Sequence, residues 1–182
     1  IESQPFLEAI RQFQHEVGHE NAILINVTLI PYLKASGELK TKPTQASVKD
    51  LQAMGIWPDI LVCRSEHPLD DGLRGKIALF CNVPKTHVLQ NLDVEVLYEA
   101  PLAMEEEHLA EVACQCLNLP CPEPDLTDWK AMVEALRNPT REVNIALVGK
   151  YISLHDAYIS VVEALKHGGI ASHATVNIHW IN

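Results

Sequence analysis

The sequence predicts an α/β protein: a mainly parallel sheet with crossover helices, followed by the opening of a second α/β unit. Three observations carry this reading. Short apolar, β-branched runs at 22–30 and 58–63 alternate with stretches whose apolar residues recur every three to four positions. The pattern restarts after a polar, proline-containing segment at 137–142 (RNPTRE), with a fresh apolar run at 143–148 (VNIALV). The composition, 47% hydrophobic and 21% charged over 182 residues, supports a buried core and excludes an intrinsically disordered chain.

The elements follow in order. Residues 3–17 read as a helix, with Ser3 as its cap and Phe6, Leu7, Ile10, Phe13 and Val17 as its apolar stripe. Residues 22–30 read as a buried strand and 36–45, with Gly37 and Pro43, as a loop. A helix is expected over 46–54, stopped by Gly55, then a strand at 58–63 (PDILVC) and a helix at 72–83. A strand at 94–98 and helices at 105–116 and 127–136 complete the first part. Beyond the 137–142 linker come a strand at 143–148, a turn at Gly149-Lys150-Tyr151, a helix at 156–167 and a strand at 174–181. Ser153 to Asp156 supplies a capping-box pattern, and Gly168-Gly169 the helix end. This is a β-α-β start, too short to finish a doubly wound domain.

Charge narrows the function classes. With 24 acidic and 14 basic residues the chain carries −10, which argues against a general nucleic-acid partner. A nucleotide ligand needs only a few local cations and N–H groups, so it stays open. No apolar run reaches the ~18 residues a membrane helix needs. The N-terminus lacks the basic region of a signal peptide, and five cysteines, an odd number, suggest a reducing, cytoplasmic setting. The chain opens on Ile1 and closes on Asn182 after an alternating apolar stretch, so both ends read as cut from something longer.

The most unusual segment is Lys40-Thr41-Lys42-Pro43-Thr44-Gln45, two lysines and two hydroxyls at the start of a helix. Point charges, hydroxyl donors and a helix N-terminus suit a polyphosphate; a solvated loop with two incidental lysines is the competing reading, since no GxxxxGK[ST] pattern is present. Arg64 follows the 58–63 strand directly, where parallel sheets gather ligands, and is equally readable as a surface arginine. Lys76 alone reads as a solvated helix lysine. Cys114, Cys116 and Cys121 lack zinc-site spacing, Cys63 and Cys81 read as core, and no cysteine has a recognisable histidine partner. Glu105-Glu106-Glu107 reads as a charged helix start rather than a metal site. Gly149-Lys150-Tyr151 resembles a phosphate loop without its second glycine. No metal site and no catalytic residue is expected within the chain.

The strings GELKTKPTQASVKDL, GIWPDILVCRS, GKIALFCNV and VGKYISLHDAYISVVEALKHGG, in this order, resemble the CTP synthase family over essentially all 182 residues, most weakly between about 99 and 137. The resemblance implies an α/β fold, the mainly parallel sheet of a P-loop-type synthetase (amidoligase) domain. Residues 1–137 would be its C-terminal part, 138–142 a linker, and 143–182 the first β-α-β of a class I glutamine amidotransferase domain. It implies ATP-dependent amination of UTP to CTP with nitrogen from glutamine or ammonia, Mg²⁺ accompanying ATP, GTP as allosteric activator, CTP as feedback inhibitor and a cytoplasmic homotetramer.

Carried over position by position, Lys40, Thr41, Lys42, Pro43, Thr44, Gln45 and Lys76 would bind UTP or CTP. Ile1 and Glu2 would contact regulatory CTP, and Leu92, Asp93 and Val94 the adenine of ATP; Arg64 is a further nucleotide candidate. The P-loop, the Mg²⁺ ligands and the glutaminase residues of the family have no counterpart here, so these 182 residues alone are expected to be inactive. The alternatives are a non-catalytic nucleotide-binding or oligomerisation module, in which helix 3–17 forms a subunit contact, and an unrelated P-loop-like amidoligase.

Overall fold

The computed structural model describes residues 2–182. They form two compact units. The first runs to Glu95 and resumes over Ala100–Glu123; the second consists of Val96–Glu99 with Pro124–Asn182.

The first unit is built on three parallel strands in the order β1 (Ile25–Leu29), β4 (Ile60–Ser65), β5 (Val88–Leu92). The register pairs Ile25 with Ile60 and Leu61 with Val88. Helices cover both faces of the central strand β4, which is why it is a continuous apolar run. The edge strand β1 is shorter than the buried strand expected over 22–30 and leaves Ile25, Val27 and Leu29 exposed. On one face Leu61, Cys63 and Val88 pack with Val48 of α2 (Lys42–Ala53) and Ile77 and Cys81 of α3 (Asp71–Cys81). On the other, Ile60, Val62 and Leu89 meet Val112, with Met104 and Leu109 beside them, from α4 (Ala100–Glu106) and α5 (Leu109–Cys116). Ile60, Leu61 and Ile77 are wholly buried, each worth about 1.5–3 kcal/mol relative to exposure.

Several expectations need correction. No strand spans 94–98; β5 lies at Val88–Leu92, and 97–99 form a 3-10 turn. Gln90 and Asn91 interrupt the apolar run of β5 and hide it from pattern reading, yet Gln90 is paired on both its side chain and its main chain. The Gln90 side chain accepts from Leu69 N at 3.0 Å, and its own N–H donates to Glu107 at 3.0 Å. The region expected as a loop at 36–45 contains β3 (Glu38–Leu39), which pairs antiparallel with β2 (Tyr32–Leu33) just before it. It also contains the first turn of α2, because Pro43 needs no N–H partner there. The helix expected over 105–116 is two helices, α4 and α5, broken at His108, whose φ is 60°. Gly55 does end α2: its φ of 76° lets Ile56 N donate back to Leu51 O at 3.0 Å.

Helix α1 (Gln4–Val17) also departs from its pattern. Ser3 makes no side-chain cap, because its backbone is already helical. Phe6, Ile10 and Phe13 are exposed, and the buried residue is Gln14, which donates to Ala22 O at 3.1 Å.

In the second unit β6 (Arg141–Val148) and β7 (Ala174–Ile181) pair in parallel, Arg141 opposite Ala174 and Val148 opposite Ile181. Helix α7 (Ile159–Ala171) crosses between them and α6 (Thr127–Arg137) packs against α7. The expected linker is therefore shorter than 138–142, because β6 starts at Arg141. The expected helix start at 156 is a 3-10 turn over His155–Tyr158, with no side-chain cap. The helix also runs through Gly168-Gly169 instead of stopping there. Gly169 is needed for close approach: a Cβ would lie 2.7 Å from Ala174 O and from Val176 Cγ2. Gly169→Ala is expected to cost about 1–3 kcal/mol by overpacking. Gly168→Ala, with nothing within 4 Å of the new carbon, should be neutral or stabilising. Urea unfolding of the pair checks this; equal midpoints would remove the packing account.

Candidate nucleotide cleft and family membership

A cleft of about 640 Å³ opens in the first unit, between the β2–β3 hairpin, the start of α2 and the N-terminal half of α3. Lys40, Thr41, Lys42 and Lys76 all line it. Two residues of the KTKPTQ segment and one residue 31 positions after Gln45 thus reach one space as cations. The fold explains how. The hairpin returns the chain so that Lys40 N donates to Pro31 O at 2.9 Å, and α2 then starts at Lys42. Asp70 caps α3, its carboxylate accepting from Leu73 N at 2.7 Å, and this places Lys76 in the second turn.

Thr41 is buried, and its hydroxyl accepts from Gln45 Nε2 at 3.1 Å. Thr41 therefore lines the cleft, and Gln45 braces it. Thr44 is fully buried; its hydroxyl donates to Leu29 O at 3.2 Å and is hydrogen-bonded to Thr28 Oγ1. It ties α2 to β1 rather than opening to the cleft, and Pro43 shapes the first helical turn.

The cleft is electrostatically mixed. Glu38 and Asp70 line it with the three lysines. Lys40 Nζ bonds to the Glu38 carboxylate, and this hydrogen bond, with the charges of Lys40 and Lys76, holds Glu38 below the ordinary carboxylate range. An anionic ligand would compete with Glu38 for Lys40, with Lys42 and Lys76 as further point charges.

The other candidates lie elsewhere. Arg64, at the end of β4, is 3.7 Å from Asp93, and Asp93 N donates to Ser65 O at 3.2 Å. Arg64 and the Leu92-Asp93-Val94 segment thus meet beyond the carboxyl ends of β4 and β5, outside the cleft lining. Glu2 is exposed in the turn before α1, and Ile1 lies outside the described residues. At the end of β6, Tyr158 Oη donates to Lys150 O at 2.5 Å, so the Gly149-Lys150-Tyr151 turn is braced from within its own unit. Cys63 is buried, and burial pushes its thiol up to about 12, which marks an inert core group.

Sequence reading missed Tyr32, His67 and the cleft-facing role of Asp70. His67 and Asp70 follow β4, so the rule that singled out Arg64 could have reached them. Tyr32 sits in a two-residue strand with no periodic signal.

The profile of the family described as CTP synthase N-terminus matches residues 1–119. The chain belongs to the CTP synthase family. Named CTP synthases match it from end to end: 58% identity with that of Ruminiclostridium cellulolyticum, 60% with that of Clostridium kluyveri and 53% with that of Methanocaldococcus jannaschii. In each the whole of this chain aligns with 34% of the relative, so the chain spans about a third of the length of the CTP synthases it matches. The cleft lies wholly within the part that the CTP synthase profile covers.

Proposed function

We propose that this chain serves a CTP synthase, a ligase of pyrimidine nucleotide biosynthesis that converts UTP to CTP using ATP and nitrogen from glutamine or ammonia. Its cleft would hold the pyrimidine nucleotide. The observation that carries this is the convergence of Lys40, Lys42 and Lys76 on one cleft in a chain of net charge −10. The cations would neutralise and orient a triphosphate, and Thr41 would bound the site near the start of α2. Fixing the triphosphate places the ring for reaction without chemistry by these residues themselves. CTP carries the same triphosphate and would compete for the same lysines.

The Arg64–Asp93 pair and the neighbouring Leu92 and Val94 form the candidate ATP contact, supported by their position beyond the strand ends. Glu2, with Ile1, is the candidate regulatory CTP contact. Mg²⁺ enters with ATP. Among the described residues no three His, Cys, Asp or Glu side chains are grouped to hold a metal, and the cleft offers lysines to a polyphosphate, so the residues here do not fit the ion and no step is assigned to it. GTP as activator and glutamine as donor are part of the same proposal and rest on the family resemblance, with no residue here assigned to either.

We assign the residues up to 137 (with α6 packed in the second compact unit) to the P-loop-type synthetase part, 138–140 to the junction and the chain from β6 onward to the start of the glutamine amidotransferase part. The parallel β6–α7–β7 arrangement supports the last. The exposed Phe6, Ile10 and Phe13 on α1 support a homotetrameric assembly and equally favour the second reading, an oligomerisation module.

The test is CTP formation by the full-length protein supplied with UTP, ATP, Mg²⁺ and glutamine or ammonia. CTP accumulating only when UTP and ATP are both present supports the enzyme reading. UTP-dependent change in assembly size without any CTP supports the module instead.

A further inference from the structure

His67 stands in the cleft with the lysines, and neither composition nor family resemblance singled it out. Its position is built rather than incidental. The buried Ser65 hydroxyl accepts from His67 N at 3.2 Å and donates to His67 O at 2.8 Å, so both main-chain groups of His67 are held by the end of β4. Its ring meets that of Tyr32 edge to face, centroids 4.0 Å apart and planes at 61°. Tyr32 belongs to the hairpin that carries Lys40. Two independent elements therefore aim one imidazole, and the residue is exposed to the cleft.

The charged and titratable groups lining the same space are Glu38, Lys40 and Lys42 from the hairpin and α2, Asp70 and Lys76 from α3, and the Tyr32 hydroxyl. Three lysines face two carboxylates there, and Lys40 is engaged by Glu38. A triphosphate carries more negative charge than this set neutralises. It would favour a protonated imidazole beside it, both as a charge and as an N–H donor.

We propose that His67 is a nucleotide-binding residue that donates to the polyphosphate as imidazolium, so that ligand binding takes up a proton. This rests on the reading of the cleft as the UTP site. The sign follows from linkage: the bound anion favours the protonated ring, so the contribution is present at acid pH and is lost as pH rises through the range in which histidine titrates. UTP itself loses charge on acidification, which opposes the effect, so variants must be compared at the same pH.

The experiment is UTP titration calorimetry on the full-length protein at about pH 6 and about pH 8.5, on either side of the ordinary histidine range. The variants are His67→Gln, His67→Arg and Lys40→Ala. At the lower pH, His67→Gln is expected to bind UTP about three- to tenfold more weakly than the native protein, the size of one charge-assisted contact near solvent. At the higher pH the two should be equal. His67→Arg, permanently charged, should match the native protein at about pH 6 and exceed it at about pH 8.5. Equal affinities of His67→Gln and the native protein at both pH values would overturn the proposal. So would an equal loss at both, which would make His67 a wall of the cleft and not a proton-linked donor. If Lys40→Ala weakens UTP while the His67 variants do not, the nucleotide site stands and only this inference falls. If no variant changes UTP affinity, both fall.

Discussion

Replacing Lys40 and Lys76 by alanine is expected to abolish measurable UTP binding at concentrations that saturate the native protein. Each lysine should contribute about 1.5–3 kcal/mol as a charged donor to phosphate, and each 1.4 kcal/mol is a tenfold change in affinity. Each single variant is therefore expected to weaken UTP about ten- to a hundredfold. The two lysines come from the hairpin and from α3, yet both contribute to holding Glu38 below its ordinary range. Their effects should be less than additive, because the survivor still faces Glu38. Glu38→Gln supplies the opposite sign. It frees Lys40 from its ion pair with Glu38 and should tighten UTP several-fold. Calorimetry on the full-length protein reads all of these, with unfolding midpoints as the folding control, since Lys40 and Lys76 are at least partly exposed. Unchanged UTP affinity in both single variants would place the nucleotide elsewhere.

The largest stability effect is expected at Arg74. Its guanidinium forks onto Glu107 with contacts of 2.7 and 2.9 Å and also donates to Val88 O at 2.8 Å. The side chains are only 20% and 16% exposed, so this pair lies well below the surface and joins α3 to the residue just after α4 across β5. Partial burial pushes the Glu107 carboxyl up, but the Arg74 hydrogen bond and charge and the Gln90 N–H outweigh it, and the net shift is downward. Arg74→Met would keep the volume and leave Glu107 charged without its partner, at a cost of about 3 kcal/mol. A carboxylate lowered on folding stabilises above its unfolded range and loses that contribution as pH falls through its folded value. Acidification should therefore narrow the gap between Arg74→Met and the native protein. Urea unfolding at neutral pH and near the carboxylate range measures it, and a gap independent of pH would show that packing, not the ion pair, carries the cost.

Much of this was legible in the sequence, for identifiable reasons. β4 and α3 have patterns set by burial, and pattern reading finds them; β6 and β7 are found from their apolar runs although most of their residues are exposed or half-buried. β5 escapes pattern reading because Gln90 and Asn91 interrupt it and the partners of Gln90, Leu69 N and the Glu107 carboxylate, are distant in sequence. Gly168-Gly169 suggested a stop because sequence shows conformational freedom but not the β7 backbone that excludes a side chain. Lys40 and Lys42 stood out through local density. Lys76 did not, since only α3 brings it to the cleft, and the family resemblance supplied what local pattern lacked. The structure in turn separates the segment's roles: Thr44 and Gln45 brace it while Lys40, Thr41 and Lys42 face outward to the cleft.

Val96–Glu99 belongs to the second unit although its neighbours in the chain on both sides belong to the first. Tyr98 donates to Glu163 at 2.9 Å and touches His167, Trp129 Nε1 donates to Tyr98 O at 2.7 Å, and Glu99 pairs with Arg137. The second unit is thus discontinuous in sequence. A protease cut near residue 123 would not release it intact, and a gene beginning there would encode helices α6 and α7 without the four residues that link them. Attempts to express, swap or fuse this unit must carry Val96–Glu99 along, and a clean exchange between relatives requires matching three chain crossings rather than one.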